Sequence, residues 1–265
     1  MPKLVLGDNP FFAISHLAPR KSAEYLESES LFDDAVRIIR KARAIGIDTF
    51  MVSTHADTQM LLEAAGYGHT PDLPEICLVV PNVHKVNEQA VSSGVFGAIL
   101  AQVKNVTKLA FSVKQMYRSL VMADISFPEV RYVALHNVVV DLLIGLRAAS
   151  VLKVFCALTR WAGYRPVLIT LNPMRLLELN VKCAAVCCYH NVLQYNVCSP
   201  SEEVIERFRQ SRAVDEIWAM GIVASGAVSN ELLARDLCIH KFDRALVASS
   251  KLERIEGWRN VLDVG

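Results

Sequence analysis

The chain has 265 residues, of which 52% are hydrophobic and 21% are charged, and its formal net charge is +1. Basic and acidic side chains are interspersed along the whole sequence, so we expect no basic surface of the kind that binds nucleic acid. The composition excludes collagen, coiled coils and disordered proteins. The length fits one closed α/β barrel or two smaller domains.

Short apolar runs alternate with segments of helical periodicity along the whole chain. The clearest helix has Ser30 as its N-cap, Asp33 and Asp34 in its first turn, and Gly46 at its end. The predicted strands are residues 3–6, 49–53, 76–80, 132–135, 167–170, 184–188, 217–224 and 245–248. The other predicted helices are residues 58–65, 87–103, 107–122, 141–162, 174–179, 202–210, 231–236 and 252–261.

The order of these elements predicts the fold. Most of the strands are continuously apolar, which is typical of parallel strands that are covered on both faces. Strand and helix alternate throughout, so the sequence predicts an α/β protein with a single (β/α)8 TIM-barrel domain over residues 1–265. An open, doubly wound sheet is the alternative, because alternation alone does not show whether the sheet closes.

The connection after the first strand, about residues 7–30, is much longer than an ordinary βα loop. It contains Phe11, Phe12 and His16, which would close over a ligand if the loop is a lid. An ordered surface loop is the alternative interpretation.

The sequence predicts a cytoplasmic protein with no membrane span. The first residues are too short an apolar run for a signal peptide. The most apolar stretch, residues 138–162, is interrupted by Asp141, Arg147 and Lys153. Several of the seven cysteines lie in predicted strands, where thiols usually pack in the core of proteins from reducing compartments.

In a barrel of this type the chemistry lies at the carboxyl ends of the strands. His136 directly follows the fourth apolar run, and His55 and Asp8 follow the second and the first, so these three are the candidate acid–base groups. A structural role for His136 is the alternative. The candidate substrate-binding residues are Asn9, His84, Lys85, Asn172 and Tyr189. No metal site is expected, because the histidines and carboxylates show no ligand spacing.

The ends of the seventh and eighth strands suggest a phosphate site. Small side chains follow strand 7, and a serine-rich turn with a lysine follows strand 8, each just before a predicted helix. Tight strand-to-helix packing without a ligand is the alternative. The candidate phosphate- or cofactor-binding residues are Ser225, Gly226, Ser249, Ser250, Lys251 and Arg254.

Two adjacent cysteines lie in the sixth predicted strand. On a strand, Cys187 and Cys188 point to opposite faces, so both cannot line one site, and packing is the expected role. Cys188 is expected to be the less buried of the two. The minority alternative is that Cys188 and His190 form a nucleophile pair.

Several segments resemble the aldo-keto reductases, a family of NADP-dependent carbonyl reductases with a barrel fold. Residues 134–136 resemble the end of the family's fourth strand, which carries its active-site histidine. Residues 169–172 resemble the end of the fifth strand, where Asn172 matches the asparagine of the pair that holds the nicotinamide carboxamide. Further resemblance lies in residues 42–50, 186–191 and 245–251.

The departures from the family pattern concern its catalytic tetrad. Met51 stands where the family has an aspartate, and no tyrosine follows until Tyr67. Pro81 stands where the lysine is expected, and Lys85 comes four residues later. The resemblance therefore implies the fold, with only the histidine of the tetrad retained at His136.

Three functions remain in view. The favoured one is a non-redox enzyme, of isomerase, lyase or hydrolase type, that acts by acid–base chemistry on a small carbonyl or phosphorylated metabolite. It needs no cofactor. The second is a divergent reductase that binds NADPH and uses His55 as its proton donor, and the third is a non-catalytic ligand-binding barrel. The expected partner is a small molecule, not nucleic acid or membrane, and homo-oligomerisation is left open.

Overall fold

The computed structural model describes residues 2–12, 31–55, 57–69, 74–81, 117, 121–122, 125, 127–193, 199–224, 227–229, 231–233, 235–236, 242–249, 251, 253–254 and 257–258. Its strands form one closed parallel barrel in chain order, in which the last strand pairs with the first. The predicted (β/α)8 barrel is confirmed, and closure excludes the open doubly wound sheet.

The strands lie close to their predicted positions. Strand β7 differs, because it ends at Met220 and not at residue 224. Gly221 and Ala224 have positive φ angles of 76° and 42°, which the extended backbone of a strand does not allow. The strands are β1 Lys3–Gly7, β2 Thr49–Ser53, β3 Glu75–Val80, β4 Val130–Leu135, β5 Arg165–Thr170, β6 Cys183–Tyr189, β7 Val214–Met220 and β8 Arg244–Val247.

The helices lie outside the barrel. A single helix over residues 141–162 was expected, and the structure has two in its place. The chain turns between them, where Arg147 has a positive φ of 53°. The α-helices whose bounds lie within the described part are α1 Leu31–Ala44, α2 Thr58–Ala64, α3 Asn137–Gly145, α4 Ala149–Trp161, α5 Pro173–Glu178 and α6 Glu202–Ser211. None of the described helices is long and apolar enough to cross a membrane.

A short 3-10 helix, Asn9–Phe12, follows β1 at the start of the long loop. The side chain of Phe11 is buried, and its ring lies 6.0 Å from that of Phe50 in the core between the barrel and the helices. The expectation that Phe11 closes over a ligand is therefore wrong, because its ring is already committed to the core. The Phe12 side chain and His16 lie outside the described residues.

Strand alternation divides the buried side chains into two cores. The outer core lies between the strands and the helices and contains Leu6, Phe50, Val52 and Leu78 among many others. The inner core lies inside the barrel, and its buried, mostly apolar side chains fill the centre. The inner core consists of Val5, Met51, Cys77, Val79, Tyr132, Ala134, Val167, Ile169, Ala185, Cys187, Trp218 and Leu246.

A buried arginine closes the amino end of the barrel. Arg244 begins β8, and only 8% of its side chain is exposed. Its guanidinium donates to Glu216 Oε2 at 2.8 Å, to the Tyr132 hydroxyl at 2.9 Å and to Thr49 Oγ1. It also lies over the Trp218 ring, 5.2 Å from the centroid, as in a cation–π contact. One cation thus joins strands β2, β4, β7 and β8.

Further charged groups at the strand starts complete this network. Arg165, which begins β5, lies 3.1 Å from Glu216 Oε1 and donates to the Tyr132 hydroxyl at 2.6 Å. Burial alone would raise the pKa of Glu216. The hydrogen bond from Trp218 and the charge of Arg244 outweigh burial and lower that pKa. The glutamate is therefore held as a carboxylate.

We expect Glu216→Gln to reduce the free energy of unfolding by about 3 kcal/mol at pH 7, since it leaves Arg244 buried without its main partner. Because the folded-state pKa of Glu216 is lowered, the wild-type advantage is complete above the unfolded-state pKa and is lost as the pH falls through the folded-state value. Urea unfolding at pH 7 and at pH 3 measures both effects.

Glu178→Gln is the matched control, because Glu178 forms an ion pair with Arg175 in which the side chains are 50% and 69% exposed. That variant should change stability by less than about 1 kcal/mol. Equal effects of the two substitutions would contradict a special role for the buried network.

Candidate functional site

The first strand ends in a buried carboxylate. Asp8 directly follows β1, is 5% exposed, and its Oδ2 accepts a hydrogen bond of 2.6 Å from the backbone N–H of Ser53. Ser53 ends β2, so this bond joins the carboxyl ends of two neighbouring strands. Asn9, the next residue, begins the 3-10 helix and is partly buried. Asp8 and Asn9 thus lie at the rim where the sequence predicts chemistry.

The second strand leads into a turn that holds His55. The Thr58 hydroxyl donates to the Ser53 carbonyl at 2.6 Å and accepts from the His55 N–H at 2.9 Å. Nδ1 of His55 lies 3.4 Å from both the backbone nitrogen and the carboxylate Oδ2 of Asp57. A neutral ring accepts from that amide, whereas a protonated ring donates to the carboxylate. The turn therefore provides a partner for either state of the imidazole.

His136 lies directly after β4 and is the N-cap of α3. Its Nδ1 accepts a hydrogen bond of 3.2 Å from the backbone N–H of Val138. An accepting Nδ1 carries no proton, so the proton of the neutral ring is on Nε2. Side chains of a strand alternate between its two faces, and Tyr132 and Ala134 both point into the inner core. His136 is the next residue in that alternation, so it lies on the same side of the strand. The structure thus gives His136 a structural role and a defined tautomer at the rim.

Asp141, on α3, connects this helix to the end of the next strand. Its Oδ1 accepts from the Thr170 hydroxyl at 2.5 Å, and its Oδ2 accepts from the Leu171 N–H at 3.0 Å. The Thr170 oxygen in turn accepts from the N–H of Asn172 at 2.8 Å. Asn172 is exposed, and its side chain does not cap α5. The same helix therefore begins at His136 and fixes the backbone that carries Asn172.

The sixth strand ends at Tyr189, and burial raises the pKa of its hydroxyl to about 12. The next residue, His190, is buried, and its Nε2 lies 2.7 Å from Oδ2 of the buried Asp236. Its ring also packs 5.0 Å from that of Phe242. His190 therefore joins β6 to the segment after β7 in the protein interior.

The two adjacent cysteines point to opposite faces, as predicted. Cys187 belongs to the inner core and Cys188 to the outer core, and both are fully buried. Burial raises the pKa of Cys188 to about 12 and that of Cys187 well above its ordinary value. The alternative of a Cys188–His190 nucleophile pair is wrong, because a buried thiol with a raised pKa supplies no thiolate.

The predicted phosphate site is described only in part. The Ser249 hydroxyl is buried and is occupied by the main chain of Lys251: it accepts from the N–H at 3.0 Å and donates to the carbonyl at 3.3 Å. Lys251 and Arg254 are exposed. Ser225, Gly226 and Ser250 lie outside the described residues, and so do His84 and Lys85. Ser249 therefore shapes the turn, whereas Lys251 and Arg254 remain candidate cationic groups.

The described residues bring Asp8, Asn9, His55, His136, Asn172 and Tyr189 to the carboxyl end of one barrel. No group of three or more metal-binding side chains occurs among the residues described. Where the aldo-keto reductase tetrad would have its aspartate, Met51 is packed in the inner core with Val79. The family's aspartate thus has no polar counterpart at this position.

Sequence reasoning missed the positions that hold this rim together. Asp141 was noted only as an interruption of an apolar stretch, although an acidic residue within the helix sequence NVVVDLLIG indicates a buried partner. The link between Asp8 and Ser53 has no sequence signal, because a backbone N–H is the donor. The pair of His190 and Asp236 spans 46 residues and depends on the fold alone.

Asp141→Ala and Thr170→Val should act non-additively on stability, because both remove the same 2.5 Å hydrogen bond. We expect Asp141→Ala to reduce the free energy of unfolding by about 2–3 kcal/mol, since a charged acceptor of two hydrogen bonds is lost. Urea unfolding of the wild type, both single variants and the double variant gives the coupling energy. Strict additivity would show that the two groups do not interact.

Alkylation of the native protein at pH 8 should leave Cys187 and Cys188 unmodified, because burial keeps both thiols protonated and shielded. In 6 M guanidinium both should react. Iodoacetamide labelling followed by peptide mass spectrometry measures the modification of each cysteine. Rapid labelling of Cys188 before unfolding would restore the nucleophile hypothesis.

No protein-family model matches the chain, and no curated protein matches it. Several solved structures resemble it, and three of them are described here. A Pseudomonas aeruginosa protein described as a "putative aldo-keto reductase" is 15% identical, with 98% of this chain and 91% of that chain covered and a TM-score of 0.59. A "putative 2,5-diketo-D-gluconic acid reductase B" is 15% identical, with 99% and 83% covered and a TM-score of 0.53. Gox0644 in its apo form is 11% identical, with 100% and 83% covered and a TM-score of 0.54.

Identities this low establish the fold and not the activity. The chain has the (β/α)8 barrel of the aldo-keto reductases, with a strongly divergent sequence.

Proposed function

We propose that the carboxyl end of the barrel is the active site of a non-redox enzyme, of isomerase or lyase type, that acts on a small carbonyl metabolite. In this proposal His136 donates a hydrogen bond to the carbonyl oxygen and Asp8 or His55 moves the proton. The observation that carries it is the hydrogen bond from the Val138 N–H to Nδ1 of His136, which assigns the ring proton to Nε2.

A neutral imidazole that donates through Nε2 is suited to polarising a carbonyl group. Such a donor stabilises the negative charge that develops on the oxygen when a neighbouring C–H loses its proton. His136 therefore acts as an electrophile, and the base is a different residue.

Asp8 and His55 are the candidate bases. The Asp8 carboxylate is buried and held by the Ser53 N–H, so its orientation is fixed by β2. His55 follows two residues after Ser53 and has Asp57 as a partner when its ring is charged. A carboxylate and an imidazole on neighbouring strand ends provide the two protonation states that enolisation requires.

Tyr189 does not replace the tyrosine of the reductases. Its raised pKa of about 12 makes it a weaker acid than an ordinary phenol, whereas a reductase needs a stronger one. Tyr189 and Asn172 are assigned to substrate binding, together with Asn9. Lys251 and Arg254 bind an anionic group of the substrate in this proposal, and the turn that presents Lys251 is formed by Ser249.

The free cysteines support a cytoplasmic location. All five cysteines among the described residues are unpaired thiols, which is typical of a reducing compartment.

Exchange of substrate C–H protons with solvent tests the proposal. The protein is incubated in D2O with dihydroxyacetone phosphate, pyruvate or glyceraldehyde, without nicotinamide cofactor, and α-proton loss is followed by NMR. We expect catalysed exchange with at least one probe. His136→Asn and His136→Ala should both lower the rate by roughly 100-fold or more, because both remove the imidazole donor.

The two variants separate catalysis from folding. Asparagine is a good N-cap, so His136→Asn should keep the wild-type stability, whereas His136→Ala should cost about 1 kcal/mol. His69→Asn is the control, since His69 is exposed and lies before β3, at the amino end of the barrel. Wild-type exchange rates in His136→Asn would remove His136 from the mechanism.

A divergent NADPH-dependent reductase is the second candidate. The fold that this chain shares with proteins described as reductases favours it, and so does Asn172 at the end of β5. NADPH would supply a hydride to a carbonyl carbon. Asn172 fits the nicotinamide carboxamide, whereas the Thr170 hydroxyl is already bound to Asp141. Fluorescence titration with NADPH, and its oxidation in the presence of the same probes, would favour this candidate over the first.

A non-catalytic ligand-binding barrel is the third candidate, because only one residue of the family tetrad is retained. It predicts neither proton exchange nor NADPH oxidation with any of the probes. Ligand binding without turnover, detected as a thermal shift in a metabolite screen, would support it.

A further inference from the structure

Two neighbouring helices carry large apolar side chains on their outer surface. These side chains, here called the apolar stripe, are Val138, Leu142, Leu146, Val151, Val154, Leu158 and Trp161. In the same order, their exposed fractions are 57%, 59%, 67%, 50%, 55%, 39% and 58%. They account for seven of the thirteen large exposed hydrophobic residues in the described part of the chain. Such clustering is not the scatter of single apolar residues that protein surfaces ordinarily show.

The spacing of these residues makes each helix apolar on two sides. In α4, the exposed Val154 and Leu158 lie opposite the buried Leu152 and Cys156. In α3, the exposed Leu142 similarly lies opposite the buried Val140 and Ile144. A helix that is apolar all round is normally covered on both sides. Among the described residues, the barrel covers one side of each helix, and the other side is exposed.

From these observations we propose that the apolar stripe is the interface of a homodimer, in which α3 and α4 of one protomer pack against α3 and α4 of a second copy. A twofold axis pairs the stripe with itself and produces a layer of four helices. This inference is independent of the proposed catalytic function.

The size of the apolar stripe matches what a stable dimer needs. Seven large side chains that are about half exposed present roughly 500 Å² of apolar surface. If about 60% of the interface is apolar, the whole contact covers about 800 Å² on each partner, which is the standard size. The largest apolar patch of an ordinary monomer is about 300–600 Å², so this stripe lies at the upper end of that range.

The charges around the stripe favour a second copy over a lipid surface. Arg147 is exposed in the turn between the two helices, and two further basic residues, Lys153 and Arg160, are exposed on one side of α4, away from the centre of the stripe. A helix that binds membrane surfaces carries several basic residues and is attracted by anionic lipid. The net charge of this protein is only +1, so it provides little such attraction. In a dimer the two basic residues lie at the rim, where salt screens them.

Sedimentation velocity of the full chain at about 5–50 μM tests the proposal. We expect the wild type to sediment as a dimer. Val154→Glu should shift it to a monomer, because the new carboxylate would be buried in the contact. Lys153→Glu is the matched control: it introduces the same side chain one residue away, outside the stripe, and should leave the dimer intact. Circular dichroism melting shows whether each variant is folded.

A second variant tests the geometry directly. Val154→Cys should form a disulfide-linked dimer on mild oxidation, above any background seen with the wild type, if the twofold axis passes near α4. A wild type that remains monomeric at 50 μM would overturn the proposal, as would a Val154→Glu variant that remains dimeric.

Two other results would also overturn it. Sedimentation of the wild type with phosphatidylserine vesicles, lost in Val154→Glu, would assign the stripe to a membrane surface. A monomeric wild type that loses stability in Val154→Glu would show that the stripe is covered within the chain itself.

Discussion

Closing eight parallel strands into a barrel leaves two open ends, and the buried charge network at the amino end closes one of them. Arg244 bonds to partners on three other strands, and two aromatic rings cover its guanidinium. Removing a guanidinium from water is costly, and here that loss is offset by Glu216 and by uncharged acceptors. The network links the start of β8 to the start of β2, the two strands on either side of β1, because Arg244 donates to Thr49.

The two ends of the barrel consequently differ in kind. At the amino end the described polar groups bond mainly to one another. At the carboxyl end the bonds run along the rim: Asp8 joins β1 to β2, and Asp141 joins α3 to the end of β5. These bonds fix the backbone at the carboxyl ends of the strands. The side chains proposed for acid–base chemistry and substrate binding lie on that backbone. Between the two ends lies an inner core of mostly apolar side chains, which separates the charge network from the end proposed to hold the active site.

The fold was predictable because apolar strands and amphipathic helices leave strong local signals. The position of His136 was also predictable, since it directly follows an apolar run. Three errors have physical causes. The seventh strand was extended too far because Ile222 and Ala224 are buried but not extended, and positive φ angles cannot be read from hydrophobicity. Helices α3 and α4 were merged because their apolar residues continue across the turn at Arg147. The lid interpretation of Phe11 failed because a ring in a loop can pack inward as readily as over a ligand.

The contacts that organise the site could not have been predicted in the same way. Arg244 and Glu216 are 28 residues apart, and they meet only because β7 and β8 are neighbours. The cap formed by His136 requires a helix that begins at the next residue, whereas the predicted helix began at residue 141. Pairing that depends on closure, or on the exact start of a helix, is visible only in three dimensions.

Helix α3 is capped by His136, the proposed hydrogen-bond donor to the substrate, and carries part of the apolar stripe on its outer surface. A ligand that draws the His136 ring toward it also acts on the first turn of this helix, through the bond to Val138. If the proposed site and the proposed dimer both exist, occupancy of the barrel mouth and association of two chains are thermodynamically linked through this helix. Linkage is reciprocal: if a ligand changes the dimerisation constant by some factor, dimerisation changes the affinity for that ligand by the same factor.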